Sequence, residues 1–249
     1  MNLISKYTSS FSPISLEEMD GVKLMNRTDT KFTFSISVLP ELFQNLSPFY
    51  NVLEIDNKRI HEYKSLYFDT KKRKFYYDHH NQRVNRFKVR FREYVDSGLT
   101  FLEVKRKNNK GKTIKKRLKV KDIVTSIKSE QQEYINKIIG QKLDVFPVQW
   151  INFSRITLVH KVLKERLTLD VNLNFYDEKS SGDLSKIIIA EVKQERMSRS
   201  SDFIRIAKDM RIYPMRISKY CFSAIELDSS LKNNRFKEKN IFLNKLKQN

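Results

Sequence analysis

The chain has 249 residues, and its 49 lysines and arginines against 29 aspartates and glutamates give a formal net charge of +20. Its 39% of hydrophobic residues is enough for a core, whereas one cysteine and five glycines exclude a disulfide framework, a cysteine zinc site and a glycine-rich phosphate loop. No apolar run approaches the roughly 20 residues of a membrane span, and the charge implies a polyanionic partner: nucleic acid, anionic lipid or polyphosphate.

The first third of the chain predicts short helices and strands in alternation. Ser15 and Glu18 have the spacing of a capping box, which predicts that a helix begins there. The other predicted elements of this region are a strand over 31–36, a helix over 37–46, a strand over 63–68 and a short helix or turn over 75–80.

Basic and apolar residues alternate strictly over 86–92, as expected for a strand with two different faces. Two more strands are predicted over 100–107 and 113–120, and only short turns separate the three. Such connections indicate an antiparallel meander. Helical spacing then follows over 129–139, and Gly140 is the predicted C-cap of this helix.

The last part of the chain returns to strands and closes with helices. No Pro-, Gly- or Ser-rich linker divides the chain, so we predict one domain over 1–228 and a polar, Lys-rich tail over 229–249, peripheral or frayed. The predicted fold class is α+β, with many antiparallel strands and a few helices. The predicted elements of this part are strands over 149–159, 166–175 and 185–193, then helices over 202–210 and after Ser218.

Most charged residues of these predicted strands share one face, because side chains alternate between the two faces of a strand. These faces are mostly basic and carry few carboxylates. The residues that share a face are Arg86, Lys88, Arg90 and Arg92 on one strand, Glu103, Lys105 and Lys107 on the next, Lys115 and Arg117 on the third, and Glu191 and Lys193 in the second half of the chain.

Two interpretations fit these basic faces. The plainer one is a sheet with one face packed on helices and one face in water. A solvated face normally mixes charges of both signs, however, and like charges that lie directly opposite each other repel. If the sheet instead closes into a barrel, the cations line a bore in which arginines and lysines clamp a chain of phosphates. The few glutamates then suggest a site for Mg²⁺ or Mn²⁺ together with phosphate oxygens.

Nine short motifs follow one another along the chain. They are Arg27-Thr-Asp-Thr-Lys31-Phe, Ser65-Leu-Tyr67-Phe68-Asp69, Lys88-Val-Arg90-Phe-Arg92, Phe101-Leu-Glu103-Val-Lys105, Lys112-Thr-Ile-Lys115-Lys-Arg117, Ser154-Arg155-Ile-Thr157, Arg166-Leu-Thr-Leu-Asp170, Glu191-Val-Lys193 and Arg216-Ile-Ser218-Lys219. Each motif is weak alone, but nine in this order form a specific signal. From about Glu18 to Asp228, the chain resembles the VTC domain of polyphosphate polymerases, a branch of the triphosphate tunnel metalloenzyme (CYTH-like) superfamily.

The resemblance implies an antiparallel β-barrel tunnel with helices packed outside. It also implies transfer of the γ-phosphate of ATP to a growing polyphosphate chain, assisted by a divalent metal, Mn²⁺ or Mg²⁺. Glu191 is the implied metal ligand, and Glu103 either assists the metal or pairs with a neighbouring cation. The implied catalytic residues are Lys31, Arg90, Lys105, Arg155 and Lys219. The implied phosphate-binding residues are Arg27, Lys88, Arg92, Lys115, Arg166, Lys193, Arg216 and Ser218.

Other functions remain compatible with the sequence. If water attacks the γ-phosphorus in place of a phosphate, the same site is a tripolyphosphatase or nucleoside triphosphatase. A third hypothesis is a non-catalytic binder of polyphosphate or nucleic acid, although the sequence has neither an aromatic-interleaved RNA-binding signature nor a helix-turn-helix pattern. The expected partners are ATP and inorganic polyphosphate, with a membrane protein as a further hypothesis. We expect a cytoplasmic location, with the membrane surface as an alternative.

Overall fold

The computed structural model describes residues 3–20, 28–110, 112–195 and 200–248. Single turns of 3₁₀ helix lie at Ile36–Val38, Val95–Ser97 and Asn234–Phe236. The α-helices are α1 (Leu3–Thr8), α2 (Leu16–Asp20), α3 (Leu39–Leu46), α4 (Lys74–His80), α5 (Ser129–Ile139), α6 (Asp202–Asp209), α7 (Lys219–Leu227) and α8 (Lys237–Gln248). The strands are β1 (Pro13–Ile14), β2 (Thr28–Ser35), β3 (Tyr50–Leu53), β4 (His61–Asp69), β5 (Arg86–Tyr94), β6 (Leu99–Lys107), β7 (Thr113–Val120), β8 (Phe146–His160), β9 (Glu165–Tyr176), β10 (Ser181–Leu184) and β11 (Ile187–Gln194).

The local signals of the sequence account for the ends of several helices. Ser15 and Glu18 form the predicted capping box, because each side chain accepts a hydrogen bond from the other residue's backbone N–H. Gly140 ends α5 with a φ of 80°, a left-handed conformation that favours glycine. The sequence predicted neither the short strands β1, β3 and β10 nor the helices α1 and α8.

One antiparallel sheet runs in the order β2-β11-β9-β8-β4-β5-β6-β7, and the short strands join its flank, with β1 parallel to β3. The predicted α+β class and the β5-β6-β7 meander are confirmed. The predicted closure into a barrel is not found, because no pairing joins β2 to β7 within the described residues. The edge strand β7 carries Lys115, Lys116, Arg117 and Lys119, all exposed, and such a charged edge opposes pairing with another strand.

The sheet is nevertheless strongly curved. β2 and β5 are five strands apart in the sheet order, which would separate them by about 24 Å in a flat sheet. In the structure one short segment reaches both strands: Met215 N–H donates a hydrogen bond of 2.8 Å to the carbonyl of Lys31 on β2, and Lys88 Nζ on β5 donates one of 2.7 Å to Ser218 Oγ. We call the concave face that carries these two lysines the inner face.

Helices cover the sheet on both sides. On the outer face, α3 and α6 pack against β2, β9 and β11, and α5 packs against β4, β5 and β6. Helix α7 lies on the inner face, where the ring of Tyr220 stacks on that of Tyr67 at 5.1 Å between centroids. The outer helices therefore agree with the predicted packing, and α7 brings its N-terminus to the basic residues.

Residues 229–248 pack against the rest of the chain, which agrees with the peripheral rather than the frayed alternative for this segment. Leu231, Phe236 and Leu243 are buried and share a core cluster with α7, because the apolar side of α8 supplies the contacts that hold it in place. The domain boundary at residue 228 stays a prediction. None of the helices in the described ranges is long and apolar enough to span a bilayer, and the membrane-protein partner also stays a prediction.

Candidate functional site

Oppositely charged residues lie directly opposite each other on neighbouring strands of the inner face. The sheet register pairs Lys31 with Glu191, Arg155 with Asp170, and Arg90 with Glu103. Cross-strand partners on one face are about 5 Å apart at Cβ, so each carboxylate meets its cation without long-range adjustment. The register of the sheet therefore determines the charge pairing of the inner face.

Glu103 is fully buried and binds two cations. Its Oε2 accepts hydrogen bonds from Arg90 Nε at 2.8 Å and Nη2 at 2.6 Å, and its Oε1 pairs with Lys115. Burial raises the pKa of the Glu103 carboxyl, but Arg90, Arg92 and Lys115 outweigh burial and hold this pKa well below its usual range. Glu103 is therefore ionised and holds Arg90 in a fixed position.

Asp170 is the second carboxylate that binds two cations. It accepts hydrogen bonds from Arg155 Nε at 2.6 Å and Nη2 at 2.9 Å, and it also pairs with Lys219 from the first turn of α7. Burial raises its pKa, but the two cations outweigh burial and keep the pKa well below the usual range. Asp170 is therefore ionised and holds Arg155 in a fixed position.

Glu191 is the third such carboxylate. It pairs with Lys31, and its Oε1 lies 3.4 Å from Lys193 Nζ, which donates a hydrogen bond of 2.9 Å to Thr168 Oγ1. Burial raises the pKa of Glu191, and Lys193 and Lys31 together lower it well below its usual range. Burial also lowers the pKa of Lys193 to about 8, although Glu191 opposes the shift. We call Glu103, Asp170 and Glu191 the bridging carboxylates.

Aromatic rings support the guanidinium groups in the middle of the inner face. Tyr63 and Phe153 stack in parallel with 5.1 Å between centroids. The guanidinium carbons of Arg92 and Arg155 lie 5.1 to 5.4 Å from these two rings, and Lys219 Nζ lies 4.7 Å from Phe153. Contacts of this kind hold cations by cation–π attraction and leave their N–H groups available for a ligand.

Lys88 and Lys105 face each other on β5 and β6, and neither has a carboxylate within ion-pair distance in the described part of the chain. Lys88 Nζ donates a hydrogen bond of 2.7 Å to Ser218 Oγ, and this hydroxyl also caps α7. The charge of Arg90, followed by burial, lowers the pKa of Lys105 well below its usual value. These lysines repel each other in the absence of an anion, and an anion between them would relieve that repulsion.

Tyr67 and Ser65 belong to the inner face, although sequence reasoning gave them no role. Tyr67 OH accepts a hydrogen bond of 2.8 Å from Arg90 Nη1, and Ser65 Oγ accepts one of 3.2 Å from Arg92 Nε. The charges of Arg90 and Arg92 lower the pKa of Tyr67 in spite of its burial. Both residues stand in the Ser65-Leu-Tyr67 motif at alternate positions of a strand, which is the signal that could have identified them.

The remaining predicted residues lie at the margins of this cluster. Arg166 lies opposite Lys193, and its Nη1 is 3.7 Å from the sulfur of Met19. Arg216 is exposed and precedes Ser218 by two residues. Arg27 lies outside the described residues. On β5, Lys88, Arg90 and Arg92 all face inward, so the whole motif contributes to the inner face.

The carboxylates of the inner face fit a metal ion only in combination with phosphate oxygens. Within the described residues there is no group of three His, Cys, Asp or Glu side chains that could hold a metal. Mg²⁺ commonly binds proteins through one or two carboxylates and substrate phosphates. The side chain of Glu191 is 21% exposed, whereas that of Glu103 is fully buried between Arg90 and Lys115. Glu191 is therefore the better placed of the two predicted ligands.

A known sequence family covers all of these site residues. The sequence profile described as the VTC domain matches residues 26–227, which include all fifteen predicted site residues. The chain belongs to the VTC domain family. No curated protein matches this VTC domain. The match ends at the last residue of α7, so α8 lies beyond it.

Several solved structures are similar to this VTC domain at low sequence identity. HpAC1 from Hippeastrum, described as a proposed adenylyl cyclase with a dominant triphosphatase activity, is 17% identical, with 82% of this chain and 97% of that chain covered and a TM-score of 0.50. A conserved hypothetical protein from Pyrococcus furiosus is 14% identical, with 78% and 99% covered and a TM-score of 0.41. The PH1012 protein from Pyrococcus horikoshii OT3 is 12% identical, with 78% and 99% covered and a TM-score of 0.38. The likeness to HpAC1 shows that this VTC domain shares that protein's tunnel-like α+β fold.

Proposed function

We propose that this VTC domain is an ATP-dependent polyphosphate polymerase, which transfers the γ-phosphate of ATP to the end of an inorganic polyphosphate chain. Family membership and the tunnel-like fold support an enzyme that acts on phosphate groups. The inner face supports the same conclusion, because its cations come from seven of the eight strands in the main sheet order, all except β4, and from the start of α7, and they converge on one concave surface.

The chemistry of phosphoryl transfer requires mainly positioning and charge stabilisation from the protein. We propose that Lys31, Arg90, Lys105, Arg155 and Lys219 contact the phosphates that react, because they surround the middle of the inner face. The other predicted cations and the Ser218 hydroxyl would hold the neighbouring phosphates. Donors that are already in place need no reorganisation as charge develops, and this is the main source of stabilisation in such sites.

The bridging carboxylates account for the preorganisation of these cations. Two cations share each carboxylate, so the cluster stays assembled before a phosphate arrives. An arginine bound to a carboxylate keeps donors directed away from it, and a lysine can reorient its flexible side chain toward an incoming phosphate. We therefore expect Lys31, Lys115 and Lys219 to turn toward phosphate while the bidentate Arg90 and Arg155 stay fixed.

The protonation of the carboxylates favours a phosphate over water as the attacking group. Water requires a general base, which works best with a pKa near the working pH. Glu103, Asp170 and Glu191 have pKa values held well below the usual range by their cations, so each is a poor base. A terminal phosphate of the acceptor chain is already ionised and needs no base. None of the three carboxylates is therefore suited to activate water, and this observation supports the polymerase proposal over the hydrolase.

A divalent metal completes the proposal. Glu191 is the residue that would hold Mn²⁺ or Mg²⁺, together with phosphate oxygens, and the metal when bound supplies neutralisation of charge on those oxygens. Binding there requires Lys31 or Lys193 to release the carboxylate. The phosphates that enter with the metal offer these lysines replacement partners.

The test is incubation of the purified chain with ATP and Mn²⁺ or Mg²⁺, followed by gel electrophoresis of the product. Long polyphosphate supports the polymerase; free phosphate alone would show a hydrolase, and no turnover would favour a non-catalytic binder. Lys105→Ala should abolish the activity without unfolding the chain, because Lys105 forms no ion pair with a described residue. Lys64→Ala is the matched control, since Lys64 is an exposed lysine on β4.

A further inference from the structure

The basic row of the inner face continues past the bridging carboxylates to one end of the sheet. On β5 and β6, Arg90 lies opposite Glu103, the next pair is Lys88 with Lys105, and the last pair is Arg86 with Lys107. The last two pairs each place two cations opposite each other, an arrangement that destabilises a sheet. The inner face therefore ends in cations that no carboxylate on these strands neutralises.

Two cations from other parts of the chain join this end. Lys239 on α8 donates a hydrogen bond of 2.7 Å from Nζ to the backbone carbonyl of Arg216. Lys88, two residues from Arg86 on β5, donates a hydrogen bond of 2.7 Å from Nζ to Ser218 Oγ, two residues from Arg216, so the end of β5 lies beside the segment that carries Arg216. Burial and the charges of Arg86 and Arg216 all lower the pKa of Lys107. Burial and the charge of Arg216 likewise lower the pKa of Lys239. We call Arg86, Lys107, Arg216 and Lys239 the mouth cluster.

The mouth cluster differs from the rest of the inner face in its charge balance. Across residues 3–20, 28–110, 112–195 and 200–248, no carboxylate lies within 4.0 Å of its four charged groups, whereas each bridging carboxylate holds two cations. Four neighbouring cations without a counter-charge are costly unless an anion binds them. A single-sign patch continuous with a basic groove indicates an extended polyanion.

The length of the basic row exceeds a triphosphate. From Arg86 to Arg92 the row on β5 spans about 20 Å at the usual rise of an antiparallel strand. A triphosphate held by the bridging-carboxylate cations would leave the mouth cluster empty, whereas a longer chain would reach it. Lys239 adds to this end of the groove from α8, which lies outside the residues that match the VTC domain.

We propose that the mouth cluster is a second phosphate-binding site, which holds the part of a polyphosphate chain that extends beyond the reacting phosphates. The inference rests on the proposed function for the identity of the ligand. The exposed Arg216 and the half-buried Arg86, Lys107 and Lys239 then guide the chain out of the groove along the start of α8. Because only a polyphosphate longer than a triphosphate reaches the mouth cluster, the affinity of the protein for polyphosphate depends on the length of the polyphosphate.

The test is direct binding of two probes, inorganic tripolyphosphate and long-chain inorganic polyphosphate, to the full chain. Lys107→Ala and Lys239→Ala should each weaken long-chain binding by about fivefold and tripolyphosphate binding by less than about twofold. Lys245→Ala is the matched control, because Lys245 is an exposed lysine on the same helix, about 9 Å further along its axis than Lys239. Melting temperatures of the variants check that the fold is intact.

The outcomes separate this inference from the proposed function. Selective loss of long-chain binding in both variants supports the mouth cluster even if the gel assay shows no polymerase. Equal loss for both probes, loss in only one variant, or the same loss in Lys245→Ala would overturn it. Displacement of long-chain polyphosphate by an equal charge concentration of duplex DNA, with the same sensitivity to Lys107→Ala, would also overturn it, because the patch would then be a general polyanion surface.

Discussion

Arg155 and Asp170 lie directly opposite each other on β8 and β9, and two hydrogen bonds of 2.6 and 2.9 Å join them. Lys219 reaches the same carboxylate from α7, 49 residues further along the chain. Asp170 thus joins the inner face of the sheet to the helix that lies on it. It holds together two cations that would otherwise repel each other at the centre of the site.

Asp170→Asn should lower the free energy of unfolding by about 3 kcal/mol, because it leaves two largely buried cations without their counter-charge. Tripolyphosphate should raise the melting temperature of this variant more than that of the wild type, since phosphate replaces the lost charge. Thermal unfolding with and without tripolyphosphate measures both effects. Asp144→Asn, at an exposed loop position, is the control and should change stability by less than about 0.5 kcal/mol.

Phosphate binding should depend on pH through Lys193. The pKa of Lys193 is about 8 in the folded chain, below the usual lysine value of about 10.4. Between these two pH values the unfolded chain holds more protons than the folded chain. The free energy of unfolding therefore rises with pH in that window. Phosphate stabilises the charged form of Lys193, so phosphate binding should take up protons above pH 8. The affinity for phosphate should then fall with rising pH, by up to about tenfold per pH unit for this group.

Titration calorimetry in two buffers of different ionisation enthalpy measures the proton uptake. Lys193→Arg should bind tripolyphosphate with less proton uptake between about pH 8 and 9, because arginine stays charged throughout this range. Equal proton uptake in the wild type and in Lys193→Arg would contradict the assignment. The lowered pKa values of Lys88, Lys105 and Lys219 explain any uptake that persists in the variant.

Glu191→Gln should abolish the proposed polymerase activity and retain binding of long-chain polyphosphate. The amide is a weak metal ligand, whereas the freed Lys31 and Lys193 still attract phosphate. The gel assay and a binding titration on the same preparation measure the two properties. Glu62→Gln, which changes an exposed carboxylate on β4, should remain active. Full activity of Glu191→Gln would show that Glu191 is not the metal ligand.

Leu243→Ala should lower the free energy of unfolding by about 2 to 4 kcal/mol, because the side chain is 1% exposed in the core beside α7. Ile241→Ala on the same helix is the control, since Ile241 is 48% exposed, and it should cost less than about 1 kcal/mol. Urea denaturation measures both changes. Equal small effects would show that α8 contributes little to the stability of the fold.

Part of the candidate site could be predicted because it depends on local pattern. Strict alternation in β5 places Lys88, Arg90 and Arg92 on one face of a strand whatever the rest of the chain does. The capping box of α2 and the glycine at the end of α5 are likewise local. Strands of two to four residues, such as β1 and β3, carry too little periodicity to be recognised.

The partners of these residues depended on the tertiary structure. Register brings Asp170 to Arg155, the segment before α7 brings Ser218 to Lys88, and packing of α8 brings Lys239 to Arg216. The sequence by itself determined the fold class and which strand faces carry the cations, because alternation is a property of neighbouring residues. Only the tertiary structure decided which cations share a carboxylate, which have none, and that the sheet curls without closing, because contacts between distant strands and helices determine these features.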